Sequence, residues 1–246
     1  MKQLARKALQ LVFWLAVWAA CYLAVGQDLL LASPLQVARR FDFLTDAVFW
    51  RCVGMSLWRT AVAYVLGVVA AVLLAAASCA SRLVDDVIRP AMAVVRATPV
   101  ASFIILALVW LSSANVPILA GMLMVLPVVY ANVREGVSST DPQLMEMARM
   151  FRFTPWQTVR RVIIPSTMPT FLAACEACVG LCFKATIAAE VIGVPKKAIG
   201  TQLYHAKIYL ETDALMAWTL VVILLSMLLE KLLKAAIGRR RLHGHA

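Results

Sequence analysis

Long stretches without any charged side chain constrain this 246-residue chain more than any other feature. Between Lys7 and Asp28 lie 20 uncharged residues, and between Arg59 and Arg82 lie 22. A helix needs about 20 apolar residues to cross the hydrocarbon core of a bilayer, so each stretch predicts one transmembrane helix. Hydrophobic residues make up 63% of the chain and charged residues 15%. This composition excludes a disordered chain, a secreted disulfide scaffold and an ordinary soluble enzyme.

The longest uncharged stretch, the 37 residues between Arg96 and Arg134, is too long for one crossing. As a single helix it would extend ~55 Å. The polar segment Ser112-Ser113-Ala114-Asn115, followed by Pro117, predicts a turn within it. The sequence therefore predicts an all-α integral membrane protein in one domain. Its six transmembrane helices are expected at about residues 8–26, 59–81, 97–111, 116–133, 166–192 and 214–233.

The first of these spans also has features of a signal peptide. Lys2, Arg6 and Lys7 precede its apolar run. The run is longer than a usual signal core and lacks a clean cleavage site of small residues, so we expect a retained helix.

The distribution of lysine and arginine predicts the orientation. Six crossings place both termini on one side, and with the N-terminus inside, cytoplasmic segments carry 15 of these cations against seven outside. The positive-inside rule then favours cytoplasmic termini. Topology and anionic lipid account for the net charge of +11, so no nucleic-acid partner is expected.

Motifs for catalysis, nucleotides or metals are not found in the sequence. It contains no G-x-x-x-x-G-K-[ST] or G-x-G-x-x-G segment, so we expect no nucleotide on this chain. Its histidines lack the spacing of zinc ligands. Cys175, Cys178 and Cys182 share one face of an apolar helix, where free cysteine acts as a small buried residue. Small residues at helical spacing predict close packing of the second span: Gly67, Ala71 and Ala75.

Residues 136–165 form the longest predicted cytoplasmic connection and contain two helix starts. In Thr140-Asp141-Pro142-Gln143, either Thr140 or Asp141 caps the first helix. In Thr154-Pro155-Trp156-Gln157 a capping box starts the second, which we expect Pro165 to end or kink. An apolar stripe follows the first start: Leu144, Met147, Ala148 and Phe151. Such a loop is suited to docking on a partner or to lying on lipid, and the pattern alone leaves both open.

Three segments resemble a known family. Residues 146–152, Glu-Met-Ala-Arg-Met-Phe-Arg, followed by Ile164-Pro165, resemble the EAA loop of ABC-importer permeases, whose usual form is E-A-A-x-x-x-G and, about a dozen residues later, a hydrophobic residue and proline. Arg96-Ala97-Thr98-Pro99 resembles the R-x-x-P segment that opens the third helix of these permeases. Residues 188–193, Ala-Ala-Glu-Val-Ile-Gly, are similar to the end of the fifth helix in the nitrate/sulfonate/taurine branch. The resemblance covers residues 55–235.

This resemblance implies half of a transporter in the bacterial inner (cytoplasmic) membrane. Two permeases, identical or related, would form the pathway within the lipid bilayer, and two cytosolic ATPase subunits would bind ATP-Mg and dock on their EAA loops. An extracytoplasmic solute-binding protein would deliver a small anionic or zwitterionic solute. This chain itself would be a transport subunit, with no catalytic residue, cofactor or metal.

The same resemblance assigns ATPase coupling to Leu144, Glu146, Met147, Ala148, Arg149, Phe151, Arg152, Trp156 and Pro165. We expect Glu146 to orient the loop by pairing with Arg160 or Arg161. Two residues depart from the motif: Met147 replaces its second alanine and Arg152 replaces its glycine. That glycine provides a turn with positive φ, so an L residue there costs about 1 kcal/mol or more unless the turn is remodelled.

The fifth span carries three charges. By helical rise, Glu176 lies about 16 Å into the membrane, and Lys184 and Glu190 lie towards the outer side. A charge at mid-membrane costs ~2.5–3.5 kcal/mol on insertion scales, so it should face protein or a water-filled cavity. None of the three forms an i, i+4 pair with another, so their partners must lie elsewhere. Candidates for the translocation pathway, or for ion pairs between helices, are Arg96, Pro99, Glu176, Lys184 and Glu190.

Two other functions fit parts of the pattern. An ion-coupled secondary carrier or channel would use Glu176, Lys184 and Glu190 as a relay without an ATPase. A membrane scaffold is less favoured, because charges within the membrane would serve no purpose there. The helical cytoplasmic loop favours the importer, since a carrier needs no docking platform.

Overall fold

The computed structural model describes the backbone of residues 2–243, and the side chains of residues 6–237 apart from residues 7, 8 and 11. All regular elements in this part of the chain are helical. The α-helices are α1 (Lys2–Val25), α2 (Pro34–Arg40), α3 (Ala47–Ala80), α4 (Arg82–Ala97), α5 (Val100–Trp110), α6 (Val116–Ser138), α7 (Pro142–Met150), α8 (Pro155–Thr158), α9 (Ile164–Gly193), α10 (Ile199–Ile208) and α11 (Thr212–His243). A π turn (Val159–Ile163) joins α8 to α9. The three elements together form one continuous helix over Pro155–Gly193.

Three helical segments among the described residues are long and apolar enough to cross a membrane: α3, α6 and Pro155–Gly193. The pair α4 and α5 adds a fourth if both helices, bent by 105° at their junction, form one span. A shorter apolar stretch, Val12–Val25, lies in α1. The all-helical membrane architecture is therefore confirmed, and the count of six crossings stays a prediction.

Helix α3 begins well before the span predicted at residues 59–81. The Asp46 carboxylate accepts a hydrogen bond from the N–H of Val48 at 2.9 Å and caps the helix. The charge of Arg59 does not interrupt α3, because this side chain is buried and paired inside the protein.

The region around the span predicted at residues 97–111 contains two helices. With 11 residues, α5 extends only about 16 Å, which is too short to cross a bilayer alone. The break comes at Pro99, because proline disfavours a helical conformation in the residue before it, and Thr98 is extended at φ −75° and ψ 128°. The preceding α4, which the sequence analysis treated as a loop, is amphipathic.

Helix α6 packs along both α3 and α9, and small side chains form much of this contact. Ala71 and Ala75 of α3 have no exposed surface, and a side chain at Gly67 would collide with Val125 of α6. Cys178 and Cys182 of α9 are fully buried in the same cluster. The close packing predicted for both patterns is confirmed.

Candidate functional site

The first helix of the segment that resembles an EAA loop has the predicted start. The Asp141 carboxylate accepts a hydrogen bond from the N–H of Gln143 at 2.8 Å, and Pro142 occupies the first helical position. Of the two residues that the sequence offered as caps, Asp141 is the one that caps. A carboxylate at this end also interacts favourably with the helix dipole.

The turn after α7 keeps a left-handed conformation although Arg152 replaces the motif glycine. Arg152 has φ +50°. The N–H of Phe153 donates to the carbonyl of Ala148 at 2.9 Å, and the N–H of Arg152 donates to that of Arg149 at 3.0 Å. These two bonds define a Schellman motif, which usually has glycine at this position. The turn is therefore not remodelled, and it carries the cost of a left-handed L residue, about 1–2 kcal/mol.

The second helix begins with the predicted capping box. The Thr154 hydroxyl accepts from the N–H of Gln157 at 3.3 Å, and the Gln157 side chain accepts from the N–H of Thr154 at 2.9 Å. The predicted end at Pro165 is wrong, because the helix runs on to Gly193, and the alternative of a kink there stays a prediction. The π turn just before Pro165 has a wider hydrogen-bonding pattern, and it joins the two parts without a break.

The two short helices present an apolar surface that this chain leaves uncovered. Phe151 is 71% exposed and Trp156 is 67% exposed. By contrast, Ala148 is 2% exposed and packs against the rest of this chain. It therefore lies on the inner side of the helical hairpin that α7 and α8 form. We call the exposed set the hairpin face: Leu144, Met147, Met150, Phe151 and Trp156. Met150, the most exposed of these, is the one that the sequence analysis did not select.

Glu146 does not form the expected pair with Arg160 or Arg161. No ion pair or side-chain hydrogen bond of Glu146 occurs among the described side chains. The Arg161 guanidinium instead lies over the ring of Phe153, 5.7 Å from its centroid. This cation–π contact holds the turn against the second helix, which is the role that we had expected of the ion pair.

Glu190 is fully buried and forms the centre of a polar cluster. Its Oε1 atom accepts from Arg59 Nη1 at 2.9 Å, and its Oε2 atom accepts from the Ser56 hydroxyl at 2.7 Å. The N–H of Gly200, at the start of α10, donates to Oε2 at 3.2 Å, and the N–H of Ile199 donates to the Ser56 hydroxyl at 3.0 Å. The cluster therefore caps α10 with groups from α3 and α9, because Ala198 at its N-cap makes no side-chain hydrogen bond.

The same cluster fixes the connection between α9 and α10. Arg59 Nη2 donates to the carbonyl of Lys196 at 3.2 Å. Within this connection Val194 has φ +44° and Lys197 has φ +54°, both unusual for L residues. A Cβ atom at Gly200 would lie 2.4 Å from the Glu190 Cβ, so only glycine permits this approach. A strained connection of this kind persists only where its surroundings hold it.

The other predicted pathway residues are not brought together. Arg96 Nη2 donates to the carbonyl of Pro127 at 3.4 Å, and Pro99 precedes α5 at the bend. Glu176 is half-buried and Lys184 is exposed. Neither forms an ion pair or hydrogen bond within the part of the chain whose side chains are described. Lys184 and Glu190 also differ: the lysine is exposed, whereas the carboxylate is enclosed by protein.

Sequence reasoning missed the partners of the buried charges. Arg59 served only to mark the end of an uncharged stretch, although a cation inside a long apolar helix requires an acidic partner. A second missed pair joins α4 to α6: the Arg134 guanidinium donates to both carboxylate oxygens of Asp85, at 2.8 and 2.6 Å. The alternation of acids and bases over residues 82–89 was the available signal for this pair.

Comparison with known proteins places this arrangement among transport proteins. The family described as "Binding-protein-dependent transport system inner membrane component" matches residues 63–242. The putative aliphatic sulfonates transport permease protein SsuC of Bacillus subtilis is 22% identical over 90% of this chain and 79% of its own length. The taurine transport system permease protein TauC of Escherichia coli is 25% identical over 96% of this chain and 88% of its own.

A solved structure has a similar fold. The crystal structure of an amino acid ABC transporter with histidines contains a chain that matches with a TM-score of 0.67 and 22% sequence identity. The match covers 78% of this chain and 94% of that one.

Proposed function

The chain belongs to the binding-protein-dependent transport system inner membrane component family, and on that basis we propose that it forms the membrane pathway of an ABC importer for a small anionic or zwitterionic solute. It is a transport permease subunit and not an enzyme. ATP hydrolysis belongs to a separate partner chain, which binds ATP-Mg.

The hairpin face is the observation that carries this proposal. Its exposed aromatic and aliphatic side chains stand on two capped helices, and a partner that buries them gains about 1.5–3 kcal/mol for each large side chain. A cytosolic ATPase that docks there would move α9 directly, because the second short helix continues into α9. Glu146, Arg149 and Arg152 surround the face as candidates for polar contacts with the ATPase.

The proposed assembly contains two permeases, identical or related, and two ATPases. Six crossings place both termini in the cytoplasm of a bacterial cell, with the hairpin on the same side of the inner membrane. An extracytoplasmic solute-binding protein delivers the solute. The family description supports the binding protein and the membrane, and the arrangement of cations supports the orientation.

The relatives support the proposed solute class. SsuC and TauC are named for the transport of aliphatic sulfonates and of taurine. We propose a solute of that kind, with Arg96, Pro99, Glu176 and Lys184 along the pathway. Glu190, also a candidate, acts there by positioning α10, since its carboxylate is enclosed. An ion-coupled carrier, the alternative that the sequence left open, is not favoured by the family.

One experiment tests docking directly. The substitutions Phe151→Asp and Glu146→Ala are introduced into the permease, which is co-expressed with its ATPase and solute-binding protein. We expect Phe151→Asp to abolish ATPase co-purification and solute uptake, with Phe151→Leu as the matched control that keeps both. If Phe151→Asp and Glu146→Ala leave co-purification and uptake intact, the hairpin face is not the docking surface.

A further inference from the structure

A cavity of about 430 Å³ lies between α4 and α6, apart from the hairpin face and the Glu190 cluster. Three arginines line it: Arg89 and Arg96 from α4, and Arg134 from α6. Glu135 is its acidic lining residue. Three alanines, Ala93, Ala97 and Ala131, form part of the wall and leave room beside the guanidinium groups.

The charges in this cavity do not balance. Arg134 is committed to Asp85 through two short hydrogen bonds. Arg96 makes one long bond, to a backbone carbonyl, and Arg89 makes neither an ion pair nor a hydrogen bond among the described side chains. Two guanidinium groups therefore retain unused donors, while Glu135 supplies one negative charge.

The shape of α4 explains why these arginines face the cavity. Ile88, Met92 and Val95 form the face that packs on the protein. Arginines spaced by seven residues lie together on one flank: Arg82, Arg89 and Arg96. Apolar residues occupy the opposite, exposed flank: Leu83, Val87 and Val94. In a membrane the apolar flank would face lipid, and the basic flank would remain beside the polar cavity.

We propose that this cavity binds an oxyanion headgroup, sulfonate or phosphate, between Arg89 and Arg96. A guanidinium donates two parallel hydrogen bonds to such a group, and the charges on both partners strengthen these bonds. The alanine wall accepts a short apolar tail. Two sources provide this chemistry: the transported solute, in which case the inference rests on the proposed function, or the headgroup of an anionic lipid.

The test uses the purified full-length permease in lipid nanodiscs, without ATPase or binding protein. Equilibrium dialysis measures binding of radiolabelled ethanesulfonate in phosphatidylcholine discs and in discs with added phosphatidylglycerol. Native mass spectrometry measures retained phosphatidylglycerol in the same samples. Arg89→Gln is the main variant, because Arg89 has no described partner whose loss would impair folding, and Arg89→Lys retains the charge.

Arg82→Gln is the matched control. It removes one positive charge from the same flank of α4, but Arg82 lines a neighbouring cavity and not this one. We expect Arg89→Gln to weaken ethanesulfonate binding about tenfold or more, as loss of a charge-assisted bond should, with Arg89→Lys intermediate and Arg82→Gln unchanged. If ethanesulfonate binding persists in discs that contain phosphatidylglycerol, the ligand of the site is a soluble anion. Binding that phosphatidylglycerol displaces, with lipid retention that falls in Arg89→Gln, identifies a lipid headgroup.

Either result supports the oxyanion site. The proposal is overturned if wild-type permease shows neither saturable ethanesulfonate binding nor lipid retention dependent on Arg89, or if Arg82→Gln loses as much as Arg89→Gln. Because no ATPase takes part, this outcome is independent of the docking experiment. A permease that fails here and still docks its ATPase through Phe151 keeps the proposed function and loses only the anion site.

Discussion

Arg59 and Glu190, 131 residues apart in the chain, form an ion pair of 2.9 Å in which neither side chain is more than 5% exposed. The Glu190 carboxylate, which α9 carries, accepts hydrogen bonds from Arg59 and Ser56 of α3 and from the N–H of Gly200 at the start of α10. The pair therefore adds a buried polar link between helices that also share a hydrophobic core, and its two members should behave as a unit.

Breaking this pair from one side should strongly destabilise the protein. We expect Glu190→Ala to lower the free energy of unfolding by about 3–5 kcal/mol, because it leaves the Arg59 charge buried without a partner. The Arg59→Met/Glu190→Met double variant should lose less than the single substitution. Thermal unfolding in detergent measures both. Equal or greater loss in the double variant would show that the pair is not the source of the effect.

Restoring glycine at the hairpin turn should stabilise it. Arg152→Gly removes a left-handed L residue and should gain about 1 kcal/mol, seen as slower amide hydrogen exchange in residues 148–153. Arg149→Gly, one turn earlier in α7, is the control and should speed exchange, since glycine disfavours a helix. Faster exchange in Arg152→Gly would mean that the arginine side chain stabilises the turn by a contact outweighing the strain.

Helix α10 lies so close to α9 at Gly200 that a methyl group at this position should destabilise the protein. Gly200→Ala would place a Cβ 2.4 Å from that of Glu190, and overpacking of this kind costs about 1–3 kcal/mol. We expect lower thermal stability and reduced uptake. Gly54→Ala is the control, because nothing lies within 4 Å of the added atom there. Equal stability of the two variants would contradict the contact.

Glu176 provides a test of the pathway. We expect Glu176→Gln to reduce solute uptake severalfold while ATPase co-purification and expression stay normal, because the substitution removes a charge and preserves shape. Lys184→Met should act in the same direction. Normal uptake in Glu176→Gln at normal expression would remove this residue from the transport mechanism.

Local rules predicted the hairpin well and long-range pairing poorly. The caps follow from residues at most three positions apart, so the sequence was sufficient for Thr154 and left only Thr140 and Asp141 as candidates for the first helix. The start of α3 could not be found by counting charges, because Arg59 meets its partner only once the chain has folded. The predicted end at Pro165 was wrong for a related reason: the π turn before it relieves the local constraint by which proline normally stops a helix.

The unpaired state of Glu146 has a similar cause. An acid and a base at suitable positions predict an ion pair, but Arg161 faces the Phe153 ring in the folded hairpin. The amphipathic α4 was overlooked because its charges suggested a loop. Its fixed position depends on Arg134, 49 residues further along the chain from Asp85.

The continuous helix from Pro155 to Gly193 connects the hairpin face directly to the Glu190 cluster. Its 39 residues extend about 58 Å, enough to cross the bilayer and emerge on both sides. We expect a displacement imposed at Trp156 to be transmitted along this continuous helix towards Glu190, apart from the part that bending at the π turn or at Pro169 absorbs. Because the Glu190 carboxylate accepts a hydrogen bond from the N–H of Gly200, we expect α10 to be displaced together with the far end of α9, so that docking at one end of the helix changes the position of a helix at the other.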